Sequence, residues 1–318
     1  MDWFEHITGF TEDAYGETRR RLKVEGDQLI NRKTGRRHAM GWLEVVSLAA
    51  LRTRIGPLPA AAAPASLGTV CGDIRQLHLE PEQQGALIQV ASQFNLLEMV
   101  GPSVSPEDGV TRYSNDPTQG PACAIAAGAG TIYRNYLVPV KGTTGQTTQR
   151  QINTLADLGT ALGHDENPLW EWRNGYALGT DGGLARIAAR LAVADEAERQ
   201  RLRGLLRIGL HWDVEVTDAP TAPGPQVTQA YCSAMPVAYG KPPASAWKPI
   251  AQLVLEAAYE ATLLAGVLNA RRGVSNRVLL TRLGGGAFGN DPHWISAAIE
   301  RALALVGGCE LEIFAVKK

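Results

Sequence analysis

The sequence predicts an α/β sandwich built around a mostly parallel, centrally placed sheet, and three observations lead to this prediction. From Cys71 onward, segments with strand patterns alternate with segments with helix patterns, the order that gives parallel strands joined by helices. Hydrophobic residues make up 45% of the 318 residues, enough for a sizeable core. A glycine-rich stretch at 278–291, VLLTRLGGGAFGND, joins a predicted strand to a predicted helix close to the end of the chain.

The individual elements follow from hydrophobic periodicity and from turn residues. Short apolar or alternating runs bounded by turn residues predict strands, and apolar residues three and four apart predict helices. Strands are expected within 21–41, 86–91, 206–218, 226–240, 278–281 and 309–316. Helices are expected within 43–55, 122–137, 181–206, 246–273 and after 291. Ser47 is a plausible start for the first of these helices, because a serine oxygen can cap free N–H groups.

Composition also predicts how the chain is divided. The segment 57–66 is rich in Pro and Ala, as is typical of a linker. We therefore expect an N-terminal extension with short strands over 1–66 and a main domain over 67–318. Polar and irregular sequence at 141–183, followed by a charged helical pattern, indicates an insertion in the main domain at about 138–204.

Charge and cysteine content limit the classes of function. Lys and Arg total 31 against 32 for Asp and Glu, so the net charge of −1 predicts neither direct nucleic-acid binding nor membrane binding. A local basic patch is compatible with this net charge. The four cysteines lie far apart, which favours small buried residues in a reducing compartment. The opening stretch MDWFEHITGF lacks the pattern of a signal peptide, so we expect a cytoplasmic protein.

Two common catalytic arrangements have no support in the sequence. The six histidines never occur in H-E-x-x-H or a comparable spacing, so we expect no metal. The G-x-S-x-G turn of serine hydrolases is absent, and no motif calls for a resident cofactor.

The glycines at 284–289 predict close backbone approach to a ligand. Gly284, Gly286 and Gly289 have the G-x-G-x-x-G spacing of a dinucleotide-binding turn, but that fold needs further strand–helix units after it. Only the last strand follows here, so the loop belongs to a final crossover. Its N–H groups could converge on an anion, or the loop could be a tight turn without a ligand. Phe288 could stack on a sugar or base, or fill the core.

The order of these motifs resembles the macrodomain family of ADP-ribose-binding proteins. VCGDIRQL at 70–77 followed by ALIQVASQFN at 86–95 is similar to the opening of that fold. VTQAYCSAMPVAYG at 227–240 is similar to its middle strand, and 278–303 to its last loop and helix. GGGAFGN within the last segment is especially similar to the corresponding loop of poly(ADP-ribose) glycohydrolases. The resemblance implies a three-layer α/β/α sandwich with a mixed, mostly parallel sheet.

The resemblance also implies roles for particular residues. Asp73 would accept a hydrogen bond from the adenine amino group, Ile74 would line the adenine, and the glycine loop would wrap the diphosphate. Phe288 would face the distal ribose, with Asn95 near its hydroxyls. The expected ligand-binding residues are Asp73, Ile74, Thr118, Gln119, Gly120, Gly284, Gly285, Gly286, Ala287, Phe288, Gly289 and Asn290. From the residues alone, Asp73 is also suited to a helix cap and Asn95 to a loop turn.

The candidate catalytic residues are Asn95, Glu98 and Asp116. Glu98 follows Asn95 by three residues and ranks first among the carboxylates for activating water, although a surface or cap role suits it equally. Thr118 should precede a helix whose free N–H groups could serve the phosphates. The stretch after Asn95 lacks both the glycine run of catalytic macrodomains and the paired glutamates of the glycohydrolases.

Two functions of different classes therefore remain open at the level of sequence. One is a hydrolase that removes ADP-ribose, or a related NAD-derived nucleotide, from an ADP-ribosylated partner. The other is a module that binds ADP-ribose or such a metabolite without turnover. A third possibility, a structural protein whose glycines only turn the chain, needs no ligand.

Overall fold

The computed structural model describes residues 1–317. The helices are α1 Trp3–Thr8, α2 Tyr15–Arg21, α3 Leu48–Ile55, α4 Ile74–Leu77, α5 Gln119–Ala126, α6 Gly128–Tyr136, α7 Ala156–Ala161, α8 Asp181–Ala192, α9 Glu196–Leu205, α10 Ala244–Arg271 and α11 Pro292–Leu305. The strands are β1 Leu22–Glu25, β2 Gln28–Asn31, β3 Arg37–Ala39, β4 Trp42–Ser47, β5 Leu67–Cys71, β6 Leu87–Ala91, β7 Pro139–Val140, β8 Thr143–Thr144, β9 Trp170–Arg173, β10 Tyr176–Gly179, β11 Arg207–Glu215, β12 Gln226–Cys232, β13 Arg277–Leu280 and β14 Glu312–Lys317.

The central sheet has seven strands in the order β4-β11-β12-β6-β13-β14-β5. Strand β11 runs antiparallel to both of its neighbours, and every other pair in the sheet is parallel. Six strands therefore point the same way, and their carboxyl ends meet at one edge. The predicted α/β fold with a mixed, mostly parallel sheet is confirmed.

Both faces of the sheet are covered, which makes three layers. Successive side chains of β6 point to opposite faces, as in any strand. Leu87 packs into the cluster that includes helices α3, α8, α10 and α11, whereas Ile88 and Val90 pack with Ile74 and Cys123 on the other face. A strand buried on both faces reads as a continuous apolar run, which is why this strand could be recognised in the sequence.

The N-terminal 66 residues join the main body instead of forming a separate unit. Strand β4 is the edge strand of the central sheet, and Trp42 stacks on Trp212 of β11 at 5.7 Å. Helix α3 starts after Ser47, whose hydroxyl accepts a hydrogen bond from the Ala50 N–H as predicted. The helical spacing of 43–46 was misleading, because these residues are strand. The segment 57–66 therefore connects α3 to β5, the strand at the opposite edge of the same sheet from β4.

Two predicted helices are each broken in two. Residues 181–206 form α8 and α9, and Asp195 caps the second by accepting a hydrogen bond from the Glu198 N–H. Residues 122–137 lie partly in α5 and partly in α6, with a non-helical backbone at Ala127. Periodicity continues across both breaks, so the apolar pattern alone could not reveal them.

The insertion also belongs to the core. Leu184, Ile187 and Leu191 of α8 are buried in the same cluster as α10, the 28-residue helix at the centre of that layer. Helix α10 is long and apolar enough to cross a membrane by length and composition, and 89% of its most apolar 18-residue window is buried inside the protein.

Substitution of two adjacent glycines of α8 should affect stability differently, because only one of them is closely packed against the rest of the insertion. A Cβ at Gly183 would lie 1.9 Å from the carbonyl oxygen of Leu169, whereas at Gly182 the nearest atom is the flexible end of Arg186, 3.6 Å away. Gly183→Ala should lower the free energy of unfolding by about 1–3 kcal/mol or more. Gly182→Ala should leave it equal or raise it by about 0.5–1 kcal/mol, because alanine favours helix. Urea denaturation of both variants measures this, and equal stabilities would contradict the packing.

Candidate functional site

A cavity lies where strands β6, β12 and β13 end. Ser92, Ala234 and Thr281, which come at or just after these strand ends, form its floor. Residues 283–288 of the glycine loop, apart from Gly285, form one wall, and residues of the segment 116–121 form another. We call this space the strand-end cavity. Open α/β sheets generally bind ligands at this edge, where several loops meet, and the sequence led us to expect a ligand there.

The cavity opens because two neighbouring strands separate. Strand β13 pairs with β6 only at Leu87 and Ile88, which leaves the backbone of Gln89 and Ala91 without a strand partner on that side. The Gln119 side chain takes that place, accepting from the Ala91 N–H at 2.9 Å and donating to the Gln89 carbonyl at 2.8 Å. Gln119 lines the cavity as predicted, but both ends of its amide are bonded to the strand and are not free for a ligand.

Helix α5 begins against the end of β6. A Cβ at Gly120 would lie 2.0 Å from the Ala91 carbonyl oxygen and 3.1 Å from Cγ of Glu98, so only glycine allows this approach. Thr118 precedes the helix, and its side chain makes no capping hydrogen bond. The N–H groups of Gln119 and Gly120 form no hydrogen bond within residues 1–317. They can therefore serve an anion in the cavity.

The glycine loop has the backbone shape that its sequence predicts. Gly284 and Gly289 have φ values of 72° and 68°, in the left-handed region that favours glycine. The Asn290 N–H donates to the Gly284 carbonyl at 2.9 Å and closes the loop. Asp291 caps α11 by accepting a hydrogen bond from the His293 N–H.

Three consecutive N–H groups of this loop are available to a ligand. Among the described residues, the backbone N–H groups of Gly286, Ala287 and Phe288 donate to no protein acceptor. All three residues line the strand-end cavity, as does Arg282, which is exposed beside them. Neighbouring free N–H groups bind anions, and an adjacent guanidinium favours phosphate. Arg282 lies two residues before the first glycine, and sequence reasoning missed it.

Phe288 belongs to an aromatic wall of three rings. Its ring centroid lies 5.4 Å from that of Tyr176 and 5.7 Å from that of Tyr239. Tyr176 is in the insertion, and its hydroxyl donates to the Met99 carbonyl at 2.8 Å. All three rings line the strand-end cavity, so Phe288 both packs and faces the site. Tyr176 and Tyr239 were not among the predicted site residues, because only the fold brings them there.

Glu98 is the buried acid of the cavity. Its side chain is 1% exposed, and neither carboxylate oxygen has a hydrogen-bond partner among residues 1–317. Its backbone N–H donates to the hydroxyl of Tyr113 at 3.1 Å, which fixes the turn that carries it. Burial raises the pKa of Glu98 from its ordinary 4.5 to about 8, and the charge of Arg134 opposes this shift only in part. A carboxyl that keeps its proton near neutral pH is suited to general acid catalysis.

Arg134 lies near Glu98 but is bonded elsewhere. One guanidinium nitrogen is 3.8 Å from a Glu98 oxygen, beyond hydrogen-bond distance. The guanidinium donates to the Leu96 carbonyl, the Thr131 hydroxyl and Nδ1 of His211. It also stacks on the ring of Tyr231 at 3.6 Å. These three hydrogen bonds direct the guanidinium away from Glu98, whose carboxyl lines the cavity without a partner among the described residues.

Asp116 is the second carboxylate of the cavity wall. It is half-buried, and one of its oxygens accepts from the Thr118 N–H at 2.9 Å. The structure thus brings Glu98, Asp116 and the start of α5 together, as expected. Asp73 and Ile74 line a smaller neighbouring cavity, which shares Gln119 and Thr281 with the first.

Asp73 also caps a helix, the alternative that its sequence left open. One of its carboxylate oxygens accepts from the Arg75 N–H at 2.8 Å at the start of α4. The residue is exposed, so its other oxygen remains open to solvent and to the smaller cavity.

Asn95 is a correction to the predicted site. Its side chain is fully buried, donates to Gln151 at 3.1 Å and accepts from the Leu97 N–H. It holds the insertion against the turn and does not line the cavity, because that turn directs it away from the strand ends.

Three residues of the glycine loop also lie outside the cavity lining. Gly285 packs near Ile295, and Gly289 packs against Ala238. The Asn290 side chain donates to the Met235 carbonyl at 2.8 Å. The resemblance could not separate these packing residues from their neighbours that face the cavity.

No known family profile matches this chain, and no curated protein matches its sequence. Solved structures similar to it include the following two. The glycohydrolase from Thermomonospora curvata has a TM-score of 0.42 and 13% identity, covering 93% of this chain and 87% of its own. The one from Deinococcus radiodurans, solved in complex with ADP-ribose, has a TM-score of 0.38 and 12% identity, with 86% of each chain covered. Both are poly(ADP-ribose) glycohydrolases.

The buried Glu98 predicts a pH-dependent difference in stability. The folded protein keeps the Glu98 proton up to about pH 8, whereas the unfolded chain loses it near 4.5. Between these values the folded state binds more protons, so the contribution of this group to stability falls as pH rises. The Glu98→Gln variant does not titrate there, and its free energy of unfolding relative to the native protein should rise from pH 5 to pH 8. Each unit by which the pKa of Glu98 is shifted corresponds to about 1.4 kcal/mol in this free-energy difference.

Urea denaturation at several pH values measures this difference. Glu166→Gln, which removes an exposed carboxyl, controls for the change in net charge. A difference between Glu98→Gln and the native protein that stays constant from pH 5 to pH 8 would contradict the assignment.

Proposed function

We propose that this protein binds ADP-ribose, or a related NAD-derived nucleotide, across the carboxyl ends of its parallel strands and hydrolyses an ADP-ribosyl linkage there. One observation carries the proposal. Glu98, a buried carboxyl without a hydrogen-bond partner, faces the same cavity as the free N–H groups of Gly286, Ala287 and Phe288. An acid and an anion-binding loop in one cavity suit a substrate with a phosphate next to a glycosidic bond.

The two adjoining cavities suit an extended ligand. A diphosphate would bind the N–H groups of Gly286 to Phe288, with the start of α5 on the opposite side. The ribose beyond it would pack on the aromatic wall near Glu98. The adenosine half would extend toward the smaller cavity with Asp73 and Ile74, which shares the lining residues Gln119 and Thr281 with the first.

Hydrolysis would use the proton of Glu98. The protonated carboxyl gives its proton to the oxygen that leaves the anomeric carbon as the C–O bond breaks. Water then adds to the positively charged sugar, and the Glu98 carboxylate takes one proton from that water. The acid is restored, and one water is consumed for each ADP-ribose released. The second carboxylate of the wall, Asp116, is placed to orient the water or a ribose hydroxyl.

Binding without turnover is the second candidate function, and a specific observation favours it. Asn95, which the resemblance places beside the distal ribose, is bonded inside the protein to Gln151. The glycine run and paired glutamates expected near it are also missing from the sequence. A chain with the phosphate loop but without this machinery would hold ADP-ribose as a reader.

Replacement of Glu98 separates the two candidate functions. Glu98→Gln removes the proton donor but keeps the shape of the side chain, so release of ADP-ribose from ADP-ribosylated protein or nucleic acid should fall by about 10²-fold or more. The dissociation constant for ADP-ribose, measured by calorimetry, should stay within about threefold, since less than 1 kcal/mol separates such values. Chromatography of the released nucleotide gives the rate.

The native protein is the reference for this experiment. Binding of ADP-ribose without release from any substrate would make the protein a reader. Absence of binding even at millimolar ADP-ribose would overturn both functions. Unchanged turnover in Glu98→Gln would remove Glu98 from the chemistry.

Substitution of a glycine in the glycine loop tests where the ligand binds. A Cβ at Gly286 meets no protein atom within 4 Å, and the residue lines the cavity. Gly286→Ala should therefore leave the melting temperature unchanged while its methyl group weakens ADP-ribose binding by about tenfold, or about 1.4 kcal/mol. Gly16→Ala, also without neighbours within 4 Å but in α2, is the matched control and should bind normally. Equal affinities for the two variants would place the ligand elsewhere.

A further inference from the structure

The N-terminal segment carries a dense group of basic residues that the net charge conceals. Between positions 19 and 37 the sequence has eight Lys or Arg and two acidic residues, a local charge of +6 in a protein whose net charge is −1. Charges this concentrated repel one another and attract anions. They lie outside the strand-end cavity, and the proposed function does not use them.

Strand pairing brings two of the basic runs together. In the antiparallel β1–β2 hairpin Leu22 lies opposite Asn31, and the Arg32 N–H donates to the Arg21 carbonyl at 2.8 Å. The run before β1 is thereby placed beside the run after β2. Arg20, Arg21, Arg32 and Lys33 line one concave surface together with Phe10, and we call this surface the basic cleft.

Several of these cations have no acidic partner. Arg20 pairs with Glu17, and Arg21 lies 3.4 Å from Asp13. Within residues 1–317, by contrast, the exposed side chains of Lys33, Arg36 and Arg37 form neither an ion pair nor a hydrogen bond. The Arg32 guanidinium donates only to the Leu22 carbonyl. Unpaired guanidinium groups are well suited to phosphate, to which they can donate two parallel hydrogen bonds.

The cleft also contains an aromatic ring. Phe10 is half-buried there, and the Arg21 guanidinium lies 5.1 Å from its ring centroid. Grooves that bind single-stranded nucleic acid combine basic side chains, which follow the phosphates, with aromatic rings and arginines, on which bases stack. A bilayer surface is flat and favours several exposed apolar side chains, whereas Met1 and Val24 are the large exposed hydrophobic residues of positions 1–41.

The cleft is held in a fixed shape by the body of the protein. The Asn31 side chain donates to the Thr8 carbonyl at 2.6 Å, which ties the hairpin to α1. Leu22 and Leu29 are buried in a cluster with Leu97, below the surface that carries the cations. The cations are therefore arranged before any partner arrives, which reduces the entropy lost on binding.

We propose that the basic cleft binds single-stranded nucleic acid through its phosphates, with Phe10 and Arg21 offering a surface for a base. This goes beyond the proposed function and does not depend on it. Nucleic-acid binding was not expected from the net charge, because net charge averages over the whole surface.

Fluorescence anisotropy with a labelled single-stranded oligothymidylate about a dozen nucleotides long tests the proposal. Binding by the native protein should weaken as salt rises, with a slope of log K against log salt of about −2 to −3 if three or four phosphates are neutralised. The double variant Arg20→Glu/Lys33→Glu, which changes two cations of the cleft lining, should bind at least about tenfold more weakly and lower that slope by about 1 to 2.

The matched control is Lys241→Glu/Lys248→Glu, which makes the same charge change at exposed lysines outside the cleft. It should retain native affinity for the oligonucleotide. Melting temperature and far-ultraviolet circular dichroism check that both double variants are folded.

Four results would overturn the proposal: no oligonucleotide binding at low salt, equal losses in the two double variants, tighter binding to a duplex of the same length, or binding to anionic phosphatidylserine vesicles in place of the oligonucleotide. Failure of the native protein to bind ADP-ribose would overturn only the proposed function.

Discussion

The candidate site depends on the close approach of helix α5 to the end of strand β6. This approach exists only because position 120 has no side chain, since a Cβ there would collide with the Ala91 carbonyl. The Gln119 amide then completes the hydrogen bonding of the strand, where β13 has already turned away. A gap between two parallel strands is thereby held open without leaving their backbone unpaired, which a buried sheet could not tolerate. The cavity is the space that this arrangement leaves.

The same packing explains the state of Glu98. The turn after β6 is covered by α5 and by the insertion, so the carboxyl loses its water but gains no hydrogen-bond donor. Its proton is retained because a buried carboxylate without partners is costly. Arg134 is close enough to reduce this effect but is bonded to other groups. An uncharged acid beside free N–H groups needs no counter-ion in the empty cavity, and this protonated state is the one that the proposed general-acid role requires.

Much of the fold could be predicted because its signals are local. The apolar run at 86–91, the capping residue Ser47 and the left-handed Gly284 and Gly289 each follow from the chemistry of a few neighbouring residues. Two of the sequence predictions were wrong, and each has a physical reason. Residues 43–46 have helical spacing but pair with β11, because an edge of the sheet was available to them. The amide of Asn95 suited a ribose equally well, and a local turn used it instead.

By itself, the sequence determined the type of fold, the place of the glycine loop at the last crossover, and Glu98 and Asp116 as acids near it. Backbone conformation and hydrophobic periodicity depend on short stretches of chain, so these features can be inferred without coordinates. Only the tertiary structure decided that Tyr176 from the insertion completes the wall beside Phe288, that Glu98 is buried without a partner, and that two basic runs share one cleft. Burial and electrostatic environment are set by residues distant in sequence, which no local pattern contains.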